Sequence, residues 1–228
     1  IITTEINEHI SLNGTLSYRD LTSDNYAQIA DLLGSSGYLD IDSFTEAASG
    51  DESEGLSTDR AQSDLRNPNR IALKGERYKY NYEIKAKVSN AFVQSQFTFA
   101  STDFYFGANL GQTSYQRNGL FENGNFPGDR SLGPGEPLNF TTYGIKGGLL
   151  YKITGRHLLD MNVGYFTKPP SIRESFTNAR QNHDVANELA PTTVQNLSLN
   201  YRYRSPMLKV RLSGLSLIHI SEPTRRTP

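Results

Sequence analysis

The chain has 228 residues, a formal net charge of -1, no Cys and 36% hydrophobic residues. The absence of Cys excludes disulfide bonds and thiolate chemistry, and the near-zero charge argues against a nucleic-acid partner, which normally requires a basic excess. No apolar run approaches the roughly 20 residues that a membrane helix needs. The chain begins at Ile1 without a signal peptide, so we expect a mature protein or a fragment.

The first predicted strand begins near His9, where HISLNGTLSYRD alternates apolar and polar residues. A strand with this alternation has one apolar face and one wet face. The second predicted strand covers 77–100, but its halves RYKYNYEIKAKV and FVQSQFTFA carry their apolar residues in opposite parity. Because one extra residue reverses the alternation without ending a strand, we predict a β-bulge near Ser89 and Asn90.

Five more alternating segments follow, namely DFYFGANLGQTSY, TTYGIKGGLLYK, LLDMNVGYF, VQNLSLNYRYR and MLKVRLSG. Most of the seven strands match the roughly 9–11 residues of a bilayer-spanning strand and carry Tyr at their apolar ends. Strands of soluble sandwiches are usually shorter, about five or six residues. We therefore predict an all-β fold and interpret it as part of an antiparallel transmembrane β-barrel.

Short connections at 101–103, 154–156 and 205–206 alternate along the chain with long loops at 20–76, 116–138 and 168–192. Outer-membrane barrels have short periplasmic turns and long extracellular loops, which produces this alternation. Their strand counts are even in single-chain bacterial proteins, and open strand edges are not tolerated in lipid. Seven strands therefore predict a segment of a larger barrel.

Loop 20–76 is the most distinctive insert. Its segment NYAQIADLLG has apolar residues at helical spacing and ends at Gly34, which predicts a short helix with a glycine cap. Acidic residues follow at Asp40, Asp42, Glu46, Asp51, Glu52 and Glu54. They offer carboxylates for a calcium site, but their spacing departs from the EF-hand pattern, so a solvated acidic loop is the favoured interpretation. We predict no metal site and no cofactor.

Loops 116–138 and 168–192 combine aromatic, Arg and Asn residues with many Gly and Pro. Such a mixture can stack against and hydrogen-bond a sugar or a peptide, although a turn-rich surface loop gives the same composition. The candidate substrate-binding residues are Arg117, Phe121, Asn123, Phe126, Arg130, Arg173, Arg180, Asn182 and His183. No nucleophile–base arrangement or phosphate loop is present in the sequence, so we predict that the chain is not an enzyme.

Four segments resemble the barrel region of TonB-dependent outer-membrane receptors: DLRNPNRIALKGERYKYNYEIK, DFYFGANLGQTSYQRNGLFENGNFPGDRSLG, GIKGGLLYKITGRHLLDMNVGYFTKPP and SFTNARQNHDV. They are most similar to the large receptors that carry a carboxypeptidase-regulatory-like extension before the plug. The match covers most of residues 9–214. Its specificity comes from the order of several segments, because none of them is catalytic.

The resemblance implies a Gram-negative outer-membrane barrel of about 22 strands closed by a plug. It also implies active uptake of a bulky nutrient such as a glycan, peptide, siderophore or cobalamin. The implied partners are outer-membrane lipid, a surface lipoprotein, and the TonB–ExbB–ExbD complex through an N-terminal region that this sequence lacks. The sequence contains no TonB box, plug or C-terminal aromatic strand, so transport belongs to a longer parent protein. The alternatives are a passive porin or adhesin-type barrel and a soluble β-sandwich binding module.

The last segment, LSLIHISEPTRRTP, interrupts the pattern that precedes it. Back-translated, residues 215–225 resemble a transposase adapter used in sequencing-library preparation, whereas a basic targeting tail would rest on two arginines. We therefore assign residues 1–214 to the barrel segment and interpret 215–228 as a non-native tail, expected to be without ordered structure.

Overall fold

The computed structural model of the protein describes residues 1–43, 45 and 59–220. They form an all-β fold with almost no helix, built around one large antiparallel sheet of long strands that does not close into a barrel. The prediction of an all-β protein with an open antiparallel sheet is therefore confirmed.

The strands and the helix follow one another along the chain, separated by short turns and long loops. They are β1 (Ile2–Asn7), β2 (Ile10–Gln28), β3 (Tyr38–Leu39), β4 (Ile71–Ala72), β5 (Arg77–Thr98), β6 (Thr102–Gly119), β7 (Gly133–Pro134), β8 (Leu138–Lys152), β9 (His157–Lys168), α1 (Ile172–Ser175), β10 (Thr192–Arg204) and β11 (Lys209–Ile220). The large sheet has the order β1-β2-β5-β6-β8-β9-β10-β11, with β7 paired to β6, and β3 pairs with β4.

The seven long strands of this sheet are the seven that the alternation predicts. Short turns join β5 to β6, β8 to β9 and β10 to β11, and the long loops all lie at the opposite end of the sheet. The alternation of connections is therefore confirmed, with revised bounds. Strand β2 continues to Gln28 and β6 to Gly119, so both strands extend well into segments predicted as loop.

The helix predicted in loop 20–76 is wrong. Tyr26 lies in β2, and the residues after it turn through Leu33 and Gly34, which both have positive φ. Pairing of β2 with β5 along nearly its whole length outweighs the helical spacing, because a helix of this length is marginal without tertiary support. A short α-helix does form in loop 169–191: it is α1, where Ser171 and Glu174 form a reciprocal capping box.

The two faces of the sheet differ in what covers them. We call the inner face the one over which the long loops fold and the opposite one the outer face. A row of paired residues on the outer face consists of Leu16, Ala91, Leu110 and Tyr143. Apolar side chains continue from this row toward the short turns and remain exposed, including Val93, Phe104, Phe106, Ile145, Leu149, Tyr151, Met161, Val163, Leu197, Leu199 and Leu212.

This apolar band ends at the same level in four neighbouring strands, which we call the polarity boundary. The next outer row consists of Tyr18, Ser89, Gln112 and Thr141, and beyond it the outer face carries residues such as Lys85, Lys87 and Asp20. Thr141 donates a hydrogen bond to Gln112 across this row, 2.8 Å between oxygens. On the inner face the opposite change occurs, because the buried cluster of Ile84, Ala86, Tyr115 and Phe140 begins there.

The predicted β-bulge near Ser89 and Asn90 is therefore wrong. Pairing of β5 with both neighbours is continuous through these residues. The parity reverses because the apolar side chains change face at the polarity boundary, without an inserted residue. The irregularity in β5 lies near its start, where Lys79 has a φ of 64° and the register with β2 shifts opposite Tyr26.

Asp40 holds this irregular backbone in place. Its carboxylate accepts a hydrogen bond from the Lys79 backbone N–H, at 2.8 Å, and pairs with Arg70 at 2.9 Å. Asp40 is buried, so both contacts compensate for its lost hydration. The first acidic residue of the suggested calcium loop thus has a structural role.

Glycines on the inner face let long side chains lie flat against the sheet. Tyr105 crosses Gly148, where a Cβ atom would overlap its ring, and donates a hydrogen bond to Asn162 at 2.9 Å. Asp160, on the same strand as Asn162, accepts a hydrogen bond from Asn200 at 2.7 Å and pairs with Arg202. Between the polarity boundary and the short turns, the inner face therefore carries a connected polar network.

Strand β11 continues past Gly214 to Ile220, so the expectation that this part of the tail lacks order is wrong. The free edge of β10 and the alternation of LSLIHI explain the continued pairing. Leu215 and Leu217, however, fall on the inner face opposite Ser198 and Asn196, and they are 74% and 64% exposed. Along β11, the apolar side chains thus change from the outer face to the inner face at Gly214, far from the polarity boundary.

Replacing Gly119 tests the close packing of the loop after β6. A Cβ atom at Gly119 would overlap the backbone carbonyl of Ser131, whereas one at Gly155 in a short turn meets nothing within 4 Å. We expect Gly119→Ala to lower the free energy of unfolding by about 1–3 kcal/mol, because the overlapping atoms belong to backbone. Urea unfolding in detergent micelles measures the difference, and equal midpoints for Gly119→Ala and the control Gly155→Ala would contradict it.

Candidate functional site

The long loops fold inward over the inner face above the polarity boundary. Phe176, which follows α1, packs into the buried cluster of Ile84, Ala86, Tyr115 and Phe140. Leu189 and Ala179 from the same loop pack around it. Loop 169–191 is therefore packed onto an apolar core that it shares with the sheet, and we call the described parts of 29–76, 120–137 and 169–191 the loop assembly.

Arg117 at the end of β6 is the central tether of this assembly. Its side chain is almost completely buried, with 2% of the residue exposed. The guanidinium donates to the carbonyl oxygens of Ala179, at 2.7 Å, and Ser131, at 2.8 Å, and lies over the Tyr82 ring. Burial without a carboxylate partner lowers the pKa of Arg117 to about 10. One cation thus joins both later loops to the sheet.

His183 completes the environment of this guanidinium. Its Nδ1 accepts a hydrogen bond from Arg117 at 3.0 Å, so the imidazole is neutral, and its Nε2–H points to the Leu132 carbonyl oxygen at 3.5 Å. Burial and the neighbouring Arg117 charge lower the pKa of His183. Its backbone N–H donates to the Arg130 carbonyl oxygen at 2.9 Å. His183 therefore fastens loop 169–191 to loop 120–137.

The other candidates from these loops also make internal contacts. Buried Asn123 accepts the backbone N–H of Asn125 at 3.0 Å, and buried Asn182 holds Asp184 through its side chain. Arg130 lies over the Phe126 ring and pairs with Asp184 on the surface. Phe121 lies under Arg70. Substrate binding by these residues stays a prediction, while their structural contacts are observed.

Asp64 is a structural residue that the sequence reasoning missed. It accepts hydrogen bonds from Arg66, Asn67 and the backbone N–H of Glu122, which joins loop 29–76 to loop 120–137. Burial by itself would raise the pKa of Asp64, but these hydrogen bonds hold it below its usual value. A local signal was available, since Asp followed by Arg and Asn in SDLRNPN is typical of a side-chain-capped turn.

Arg173 and Arg180 border an open cleft. The cleft has a volume of about 880 Å³ and lies between the inner face of β2 and β5 and loop 169–191. Tyr82 and Phe176 contribute aromatic surface, and Ser23, Asn25 and Asn178 contribute polar groups. Of the nine predicted residues, Arg173 and Arg180 line this cleft, whereas His183 borders a second open space beside loop 169–191 and Arg130 is exposed on the surface.

The acidic residues of loop 20–76 are only partly described. Asp40 pairs with Arg70, and Asp42 accepts a hydrogen bond from Gln181 at 3.3 Å. Glu46, Asp51, Glu52 and Glu54 lie outside the described residues. Within residues 1–43, 45 and 59–220, no three or more His, Cys, Asp or Glu side chains converge in a way that could hold a metal ion.

Comparison with protein families and curated proteins identifies no relative of this chain. No protein-family profile matches the chain, and no curated protein shows significant sequence similarity to it. Among the described residues, no helix is both long and apolar enough to cross a bilayer.

Acidification should loosen the contact between loops 120–137 and 169–191. A folded-state pKa of His183 below its unfolded value means that the unfolded chain binds more protons at acidic pH. The stability from neutral His183 is complete above its unfolded pKa of about 6.5 and is lost as the pH falls toward the folded pKa. Asp129 and Asp184 oppose this loss and Arg117 increases it.

Hydrogen exchange at residues 129–137 and 177–186, corrected for intrinsic exchange rates, measures this effect between pH 7.5 and 5. The variant His183→Gln is the matched control, because its amide oxygen can accept from Arg117 but does not titrate. Its protection should depend less on pH than that of the unmodified chain. Identical pH dependence in both proteins would contradict the role of His183.

Proposed function

We propose that the chain forms part of the wall of a transmembrane β-barrel in the outer membrane of a Gram-negative cell. The barrel belongs to a TonB-dependent receptor that imports a bulky nutrient. The observation that carries this proposal is the polarity boundary, where the apolar residues of neighbouring strands change face at one level of the sheet. Three features of the sheet support it: the environment on each side of the boundary, the height of the apolar band and the open edges.

The two sides of the polarity boundary meet different environments. A strand in a bilayer must present apolar side chains outward to lipid, because water is absent there. Beyond the bilayer the outer face meets water, and the apolar side chains are needed inside, under the loops. Ala91 and Lys87 on the outer face and Ile84 on the inner face of β5 follow this order. A soluble sandwich keeps its apolar face along the whole strand.

The height of the apolar band also fits a bilayer. From Tyr143 to Tyr151, β8 covers about 26 Å at the usual rise per residue. A tilt of roughly 35–45° reduces this to a height of about 20 Å, close to the roughly 25 Å band of outer-membrane barrels. Aromatic rings mark both ends, with Tyr143 and Tyr165 stacked near the boundary and Tyr151 and Tyr203 near the short turns. Such aromatic girdles are typical of membrane interfaces.

The open edges of the large sheet also support a larger barrel. Strands β1 and β11 end the large sheet and each has one unpaired side. Unpaired backbone groups are costly in lipid, so a sheet of this kind needs further strands to complete a barrel. The long loops at one end then lie on the cell surface and the short turns in the periplasm.

Energised import rests on the resemblance of the barrel segments to TonB-dependent receptors. The parent protein would bind the TonB–ExbB–ExbD complex through its N-terminal region, and a surface lipoprotein is a candidate partner at the loop assembly. A glycan, peptide, siderophore or cobalamin is the expected class of nutrient. The ordered, inward-folded loop assembly suits a receptor, because it presents a shaped surface at the mouth of the barrel.

Lipid quenching tests the orientation of the strands. Because the chain has no Cys, single substitutions allow site-specific labelling. A fluorophore at Leu149→Cys on the outer face should be quenched by brominated lipids in reconstituted bilayers. The same fluorophore at Lys146→Cys on the inner face, or at Lys87→Cys beyond the boundary, should be quenched much less. Equal quenching at all three sites, or a chain that stays soluble and monomeric without detergent, would favour the soluble β-sandwich.

Dependence on TonB distinguishes an energised receptor from a passive porin or an adhesin. We expect the full-length gene to encode a plug and a TonB box upstream of this segment. Nutrient uptake by the full-length protein should then fall to background in a strain that lacks TonB. Uptake that is unchanged in that strain would support a porin, and surface attachment without uptake would support an adhesin.

A further inference from the structure

We infer that the cleft under loop 169–191 is a binding site for an acidic oligosaccharide, a hydroxyl-rich ligand that carries several carboxylate groups. The inference rests on the proposed function for the accessibility of the cleft from the cell surface. It goes beyond that proposal by locating the site and by assigning the charge and chemical class of the ligand.

The shape of the cleft suits a small oligomer. Its volume of about 880 Å³ lies within the range of roughly 300–1,000 Å³ usual for ligand pockets. One wall is the inner face of β2 and β5 above the polarity boundary, and the other is the segment from Ile172 to Arg180. One wall is the sheet itself, and the other is held against it by the packing of Phe176, so the cleft exists before a ligand binds.

The charge of the cleft favours an anion. Arg173 and Arg180 are its charged lining residues, and no Asp or Glu among the described residues lines it. Neither arginine forms an ion pair with any part of the chain that the structure describes. Arg117 adds a third positive charge behind the wall, 5.1 Å from the centre of the Tyr82 ring. Three cations around one cleft attract a ligand with several negative charges.

The neutral lining favours a saccharide as the carrier of these charges. Hydroxyl and amide groups of Ser23, Asn25 and Asn178 can donate to and accept from sugar hydroxyls. Tyr82 offers ring surface, and its neighbour Tyr80 lies under Arg180 at 5.1 Å. Aromatic rings stack on the apolar faces of sugar rings, and arginine forks bind carboxylates in two-point contacts.

A peptide ligand fits this cleft less well. Extended peptides commonly bind by adding a strand to an open sheet edge. The part of β5 that lines the cleft is already paired on both sides, since Ile84 lies between Ser23 of β2 and Arg117 of β6. Recognition must therefore come from side chains, which suits a ligand that presents hydroxyls and carboxylates.

A neighbouring cleft provides the contrast. On the other side of loop 169–191 lies a larger space of about 1620 Å³ that borders Asp129, Glu136, Glu174, Asp184 and Glu188. These carboxylates repel an anionic ligand. The two clefts share Arg173, Phe176 and Thr177, so the loop separates a basic compartment from an acidic one. An acidic sugar is thereby directed to the side of Arg180.

Calorimetric titration of the full chain in detergent micelles with tetragalacturonate tests the assignment. We expect saturable binding that weakens as salt is added, because screening reduces charge attraction. Arg173→Gln and Arg180→Gln should each weaken binding by about tenfold, as expected for loss of one charged hydrogen bond. Arg156→Gln, in the short turn between β8 and β9, should leave it unchanged.

Two further ligands make the result decisive. Maltotetraose has similar hydroxyls without carboxylates, and tetraglutamate has carboxylates on a peptide backbone. Both should bind at least about tenfold more weakly than tetragalacturonate. Equal binding of maltotetraose would overturn the assigned charge, equal binding of tetraglutamate would overturn the saccharide, and absence of any binding would overturn the site. Lipid quenching of the outer face is measured without ligand, so it tests the barrel separately.

Discussion

Hydrogen-bond register across the sheet is the constraint on which the other features depend. Leu16, Ala91, Leu110 and Tyr143 come from four strands, yet pairing places them in one row, and the next row is the first polar one. A slip of one residue in any of these strands would send its apolar band to the inner face and its loop-facing side chains to solvent. Register therefore fixes both the apolar band and the position of the loops above it.

The loop assembly depends on a different balance, in which each buried charged group is held by several hydrogen-bond partners. Arg117 is held by two carbonyl oxygens and an uncharged imidazole, whereas Asp40 and Asp64 are held by cations and backbone N–H groups. Removing one partner leaves a buried charge without compensation, which is more destabilising than the pair is stabilising. Such contacts define one arrangement of the loops, because alternatives would leave the same groups unsatisfied.

The sequence predicted the long strands and their connections because alternation and turn residues are local signals. The predicted bulge was wrong because the parity change near Ser89 has two explanations within one strand, namely an inserted residue or a change of face of the apolar side chains. Only the neighbouring strands, where Gln112 and Thr141 mark the same level, distinguish them. The helix predicted around Ile29 failed because β-pairing to Gln28 is a long-range interaction. Arg117 was predicted as a candidate substrate-binding residue, but its burial depends on loop residues more than 60 positions away, such as Ala179.

The joining of the loops through Arg117 and His183 has a consequence for how fast and how tightly a ligand can bind. Flexible binding loops lose conformational entropy when they close on a ligand, and the affinity is reduced by that loss. Here the ordering of loop 169–191 is already achieved when Phe176 packs into the core. The cleft is thus preorganised, and its association rate is expected to be limited by diffusion of the ligand into the barrel mouth rather than by loop rearrangement.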